Sequence, residues 1–266
     1  MYIHELSIDL IDPKTERESL YDEALSLYSA LYKNGQIQEL TFVVYFTDEQ
    51  LVLAVTSIEK NSLSKKHENI YVKEFRKNIE KMCGSKFKTK LLGQEPPYDQ
   101  EHLCRCAKPK SLYLQYSELN YGSPLSCGDC GKNVPLYRIP RSPEKIAEKE
   151  YFSLCCWDRS YKACYRLWAL CGCGERWATR QMQKHDSGLS KEGRDVCKDI
   201  SKHTGVPVYY FLFNYRALTA KQDQGRKCPG CGGDWLLKEP WHVFHFKCDN
   251  CLLISELTAN SSRKCK

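Results

Sequence analysis

The chain has 266 residues, more than the roughly 100–200 usual for one domain, so two or three units with separate cores are expected. Its opening residues show no basic segment followed by an apolar one, and no run approaches the ~20 apolar residues that span a bilayer, so a soluble, cytoplasmic protein without membrane contact is expected. Sixteen cysteines without an export signal point to bound metal, zinc by default, and away from disulfides, while a formal net charge of +7 suits nucleic acid or an acidic protein surface.

Residues 3–10 alternate as a strand, and Pro13 opens a helix whose apolar positions Leu20, Ala24, Leu25, Leu27, Tyr28 and Leu31 recur at helical spacing until Asn34 and Gly35 close it. Two β-rich runs, 39–46 and 51–58, flank a short connection, residues 71–82 form a second amphipathic helix, and 87–92 supply a last strand. The order β-α-β-β-α-β predicts an α+β, ferredoxin-like domain over residues 1–95, a fold that says little about activity. Residues 1–59 are acidic, whereas 60–90 carry ten Lys or Arg against three Glu. Lys65, Lys66, Lys73, Arg76, Lys77 and Lys81 are therefore candidate partner-binding residues, set against the commoner solvated helix face.

An internal zinc-knuckle segment is expected over 96–141, with a strand at 111–119. Residues 142–215 read as helical, with helices over 158–170, 175–184 and 191–203, the last capped by Ser190 and followed by a β run at 206–213. The closing segment, 216–266, predicts two strands separated by Glu239 and Pro240, with a third after Cys251.

Cys228 and Cys231, then Cys248 and Cys251, make two CxxC pairs with sixteen residues between them, the spacing of a four-cysteine zinc ribbon. Glycine after the second cysteine lets the chain turn so that backbone amides face the thiolates, and Gly232 meets that need. Four thiolates leave no open coordination position, so this zinc is expected to be structural. Cys127 and Cys130 form another knuckle, which Cys104 and Cys106 can complete; Cys171 and Cys173, with Gly172 and Gly174, compete for that place. Cys155, Cys156, Cys164 and Cys197 are expected to pack as small hydrophobes, and Cys83 and Cys265 have no neighbours at ligand spacing. His185, His242 and His245 read as surface or capping residues.

The runs at 123–130 (SPLSCGDC), 134–140 (VPLYRIP), 204–210 (TGVPVYY) and 228–235 (CPGCGGDW) resemble a bacterial zinc-ribbon family. The likeness covers roughly residues 100–255. It implies zinc at Cys228, Cys231, Cys248 and Cys251, a knuckle at Cys127 and Cys130, and nucleic-acid binding, with no catalytic residue to carry over.

Three functions compete. Ribbons, the basic stretch and the aromatics Trp241, Phe244 and Phe246 favour a non-catalytic nucleic-acid binder. A rigid charged scaffold also suits a protein binder, including an immunity protein that neutralises a cognate toxin. An enzyme would draw on Asp158, Arg159, Glu175, Arg176, Arg180 and Asp186, but no nucleotide-binding, hydrolase or deaminase motif is present and no small-molecule substrate is indicated. Zinc-stabilised nucleic-acid binding is the preferred expectation.

Overall fold

A computed structural model describes residues 1–11, 16–38, 43–95, 102–116, 122–140, 150–170, 172–215 and 219–258. The chain forms an α+β structure with two sheets, divided into two compact units: residues 1–104, 118–123 and 132–152, and residues 105–117, 124–131 and 153–266. Strands contributed by the segments 96–141, 142–215 and 216–266 all enter one sheet of the second unit.

The first unit is built from β1 (Tyr2–Asp9), α1 (Arg17–Lys33), β2 (Val43–Phe46), β3 (Gln50–Ser57), α2 (Ile70–Cys83) and β4 (Lys88–Gln94). The sheet order is β2-β3-β1-β4, with every neighbour antiparallel. Alternation sends Leu6 and Ile8 of β1, and Leu51, Leu53 and Val55 of β3, to one face. There they pack with Leu20, Ala24, Leu27 and Leu31 of α1 and Val72, Ile79 and Cys83 of α2, so both helices cover that face. Asn69 caps α2 by accepting from the Val72 amide, and Gly84 ends it in the left-handed conformation. Burial pushes the Cys83 thiol up to about 11, which suits an inert core residue. The proposed helix opening at Pro13 lies outside the described residues.

The second unit carries a six-stranded sheet ordered β6-β5-β7-β10-β9-β8. Its strands are β5 (Leu112–Leu114), β6 (Leu125–Cys127), β7 (Val208–Leu212), β8 (Leu236–Trp241), β9 (Phe244–Cys248) and β10 (Leu253–Ser255). Its helices are α3 (Phe152–Leu170), α4 (Glu175–Gln183), α5 (Gly188–Thr204) and the short α6 (Ala220–Gln224). β7 pairs in parallel with β5 on one side and β10 on the other, and all five of its residues are buried. Tyr210 faces the helices, contacting Trp157 of α3, while Tyr209 and Phe211 face an aromatic cluster with Tyr113, Phe244 and Ile254.

Several boundaries move from those expected. α3 begins at Phe152, because Leu154, Cys155, Trp157, Tyr161 and Cys164 extend the buried helical stripe upstream of residue 158. α5 is capped by Ser187, whose Oγ accepts from the Ser190 amide, so Ser190 lies inside the helix. Glu239 and Pro240 belong to β8, and the hairpin turns instead at His242 and Val243. Proline is tolerated there because β8 is an edge strand whose pairing with β9 is irregular between Leu236 and Trp241. Cys155, Cys164 and Cys197 are buried, but Cys156 is exposed on α3 and packs in no core.

Gly193 shows why α5 sits so close to the sheet. A β-carbon there would lie 2.1 Å from a ring carbon of Tyr210 and 2.5 Å from Nε1 of Trp157. At Gly188, in the same helix, the nearest group would be Gln181 Oε1 at 3.7 Å. Gly193→Ala is therefore expected to destabilise by about 1–3 kcal/mol through overpacking, against the usual helix preference for alanine. Gly188→Ala should be neutral or stabilising by up to about 1 kcal/mol. Urea unfolding of the two variants checks the contrast; equal behaviour would refute the close approach.

Candidate metal centres

Two knuckles are built alike. After Cys130 and after Cys231 the chain turns through Gly131 (φ 72°) and Gly232 (φ 74°), a left-handed conformation that glycine adopts without strain. In each, the glycine amide donates to the carbonyl of the first cysteine, Gly131 to Cys127 and Gly232 to Cys228, both at 2.8 Å. The third knuckle ends in Leu252, which takes the same conformation (φ 52°) and packs its side chain on the aromatic cluster.

These turns gather two sets of thiols. The Sγ atoms of Cys228, Cys231, Cys248 and Cys251 lie within 4.8 Å of one another, as do those of Cys104, Cys106, Cys127 and Cys130. Among the described residues these are the groups of metal-ligating side chains that could hold an ion. Burial follows one pattern in both: first and third cysteines buried, second exposed, fourth between. Cys104 and Cys106 thus join the internal knuckle. Cys173 is exposed outside the group, and Cys171 lies outside the described residues.

The closing set fits a tetrahedral ion. Cys231 Sγ and Cys248 Sγ are 3.7 Å apart, far beyond a disulfide and close to the roughly 3.8 Å edge of a tetrahedron with metal–sulfur bonds of about 2.3 Å. The local field favours stepwise ionisation. The Gly233 amide is the largest influence holding the Cys231 thiol down to about 7, whereas burial pushes Cys248 up and Cys251 well up. A bound cation would supply the charge that lets all four ionise.

Packing behind this set fixes its hairpin. Buried Asp223 of α6 accepts from Asn214 Nδ2 at 3.1 Å and from the Thr258 amide at 2.8 Å, and pairs with Arg226 at 2.8 Å. The Arg226 guanidinium lies 4.2 Å from the Phe246 ring centroid, and its carbonyl accepts from Trp235 Nε1. Phe244 and Phe246 are fully buried, and Trp241 contacts Tyr113, Tyr209 and Phe244. The two phenylalanines build the core and are closed to a base.

The internal knuckle is braced by residues that local spacing does not reveal. Tyr113 donates its hydroxyl to the Gly131 carbonyl at 3.1 Å, and the Lys110 amide donates to Asp129 at 2.9 Å. His242, at the turn of the β8–β9 hairpin (φ 55°), places Nε2 2.7 Å from the Gly128 carbonyl. The six-stranded sheet therefore curls, bringing the turn at one edge onto the knuckle that follows β6 at the other. His245 Nδ1 faces the Leu257 amide at 3.5 Å.

The basic candidates separate into two kinds. Lys65, Lys66, Lys73, Lys77 and Lys81 are exposed, and the last three follow one face of α2 at four-residue intervals. Arg76 is different: it is buried, its Nε lies 2.8 Å from Glu68 Oε1, and its guanidinium sits 5.2 Å from the Phe87 ring centroid. It holds the fold and cannot reach a ligand. Arg176 and Arg180 are exposed on α4, Asp186 is exposed beyond it, and Asp158 and Glu175 are half-buried.

Family models match three successive segments: domains of unknown function DUF8589 over residues 1–93, DUF2310 over 106–213 and DUF8594 over 218–261. An uncharacterized protein of Haemophilus influenzae is 30% identical over 233 residues, covering 85% of this chain and 87% of that protein. The chain belongs to that protein's family. A second uncharacterized Haemophilus influenzae protein is 30% identical over 171 residues, 64% of this chain and 81% of its own length. The DUF2310 segment contains Cys106, Cys127 and Cys130, and the DUF8594 segment contains all four cysteines of the closing set. No solved structure matches the chain. No helix among the described residues is long and apolar enough to cross a membrane.

Proposed function

We propose that this is a zinc-stabilised, non-catalytic protein that binds nucleic acid. The observation that carries the reading is the pair of four-thiol sets, each closed by cysteines alone. Four thiolates favour zinc and leave it no position for water or substrate, so the ions would hold structure and not activate a reactant. The two CxxC pairs joined through β8 and β9 support a zinc ribbon at the C-terminus. The strand order β2-β3-β1-β4 with both helices on one face supports a ferredoxin-like first unit. Nucleic acid is favoured as partner by the net charge of +7 and by Lys73, Lys77 and Lys81, exposed in a row along α2.

The test is purification without added nucleic acid or metal, followed by metal quantitation, absorbance at 260 and 280 nm, and native mass spectrometry. Two zinc ions per chain and bound nucleic acid released by salt are expected. A stoichiometric, salt-resistant protein partner with no nucleic acid would overturn the reading and favour toxin neutralisation.

A further inference from the structure

α4 presents an exposed tryptophan beside a row of exposed cations. The helix is anchored by one face, with Ala178 and Met182 fully buried and the Met182 carbonyl accepting from the Phe213 amide at 3.2 Å. Its opposite side carries Arg176, Trp177, Arg180 and, just past the last turn, Lys184, all exposed. Arg176, Arg180 and Lys184 stand four residues apart and so share a face, with Trp177 beside the first and one turn from the second. The acidic residues adjoining the helix sit at its ends: Glu175 in the first turn, where it complements the helix dipole, and Asp186 beyond Lys184.

Trp177 is the unusual member. Of the five tryptophans, Trp157 and Trp235 are buried and Trp168 and Trp241 are half-buried among aromatic rings, whereas Trp177 is 56% exposed. A large ring held open to water among cations has the chemistry of a stacking platform, with phosphate contacts on either side. α2 offers a row of lysines, but its own exposed large apolar residue is Ile70, which has no aromatic face to stack.

We infer that α4 is the base-contacting element for a single-stranded nucleic acid, with an unpaired base stacked on Trp177 and adjacent phosphates held by Arg176, Arg180 and Lys184. A single strand is required because a paired base in a duplex does not offer its ring face to a side chain on a helix surface. The inference rests on the nucleic-acid reading and adds the strand state and the element that distinguishes it.

The test uses the full-length, metal-loaded chain and fluorescence anisotropy with fluorescein-labelled U20, dT20 and a 20-base-pair duplex. The wild type should bind at least one single strand more tightly than the duplex, and the U20 and dT20 arms tell RNA from DNA. Trp177→Ala should weaken that binding by about 10- to 100-fold, with Trp177→Phe within a few-fold of wild type. Arg176→Ala with Arg180→Ala should reduce the dependence of log K on log salt by about 1.4, two phosphate contacts at roughly 0.7 each. Because these side chains are exposed, metal content and circular dichroism should be unchanged. Wild-type binding that survives Trp177→Ala undiminished, or that favours the duplex, overturns the assignment of α4 while leaving nucleic-acid binding intact. Failure of the wild type to bind any of the three probes overturns the proposed function itself.

Discussion

Cys248→Ser is expected to lower the metal content from two ions per chain to one and to unfold the region around the six-stranded sheet. Cys248 ends β9, which pairs with β10 on one side and β8 on the other, and β10 in turn pairs with buried β7. Losing its thiolate removes both a ligand and the clamp between two strands. Structural zinc supplies on the order of 10 kcal/mol, comparable with the 5–15 kcal/mol that stabilises a whole domain, so little net stability should remain. Elemental analysis with tryptophan fluorescence, which reports Trp235 behind the site, gives the readout. Cys156→Ser supplies the control, since that thiol is exposed and outside both sets. If Cys248→Ser retained two ions and native fluorescence, the closing set would not be a metal site.

Arg76→Ala should cost about 3–5 kcal/mol in the first unit without altering the salt dependence of nucleic-acid binding. Both partners of its pair with Glu68 are nearly sealed, at 7% and 3% side-chain exposure, so removing the cation strands a buried carboxylate. The Arg76→Leu, Glu68→Leu double variant should be less destabilised than Arg76→Ala, because no uncompensated charge remains. Chemical denaturation of the single and double variants measures the first effect, and anisotropy at several salt concentrations the second. Lys73→Ala with Lys77→Ala should do the reverse, leaving stability within about 0.5 kcal/mol and flattening the salt dependence. A large salt effect from Arg76→Ala in folded protein would return that residue to the binding surface.

Arg76 also marks the limit of what charge composition alone conveys. Charge composition grouped it with Lys73 and Lys77, but Val72, Arg76, Ile79 and Cys83 form one buried stripe on α2. Position within that stripe was visible in the sequence and outweighed charge. The closing cysteine set was legible because each CxxC turn is local and Gly232 follows directly. For the internal set, Cys104 with Cys106 is the preferred completion because the pair lies one strand upstream, and the thiols gather as that preference expects; Cys171 with Cys173 has similar spacing, so spacing alone does not separate the two. The brace from His242 to Gly128 spans 114 positions, beyond any local signal. Pro240 reads as a strand breaker in sequence because the edge position and the irregular pairing that accommodate it are properties of the assembled sheet.

The shared burial pattern of the two thiol sets carries a chemical consequence. Each has one exposed cysteine, Cys106 in the first and Cys231 in the second, a half-buried fourth, and its first and third buried. Oxidants, alkylating reagents and competing soft cations thus meet each centre first at its exposed cysteine. For the closing centre that cysteine is Cys231. Oxidative damage should begin there as sulfenic acid, and demetallation should follow that first lesion rather than precede it.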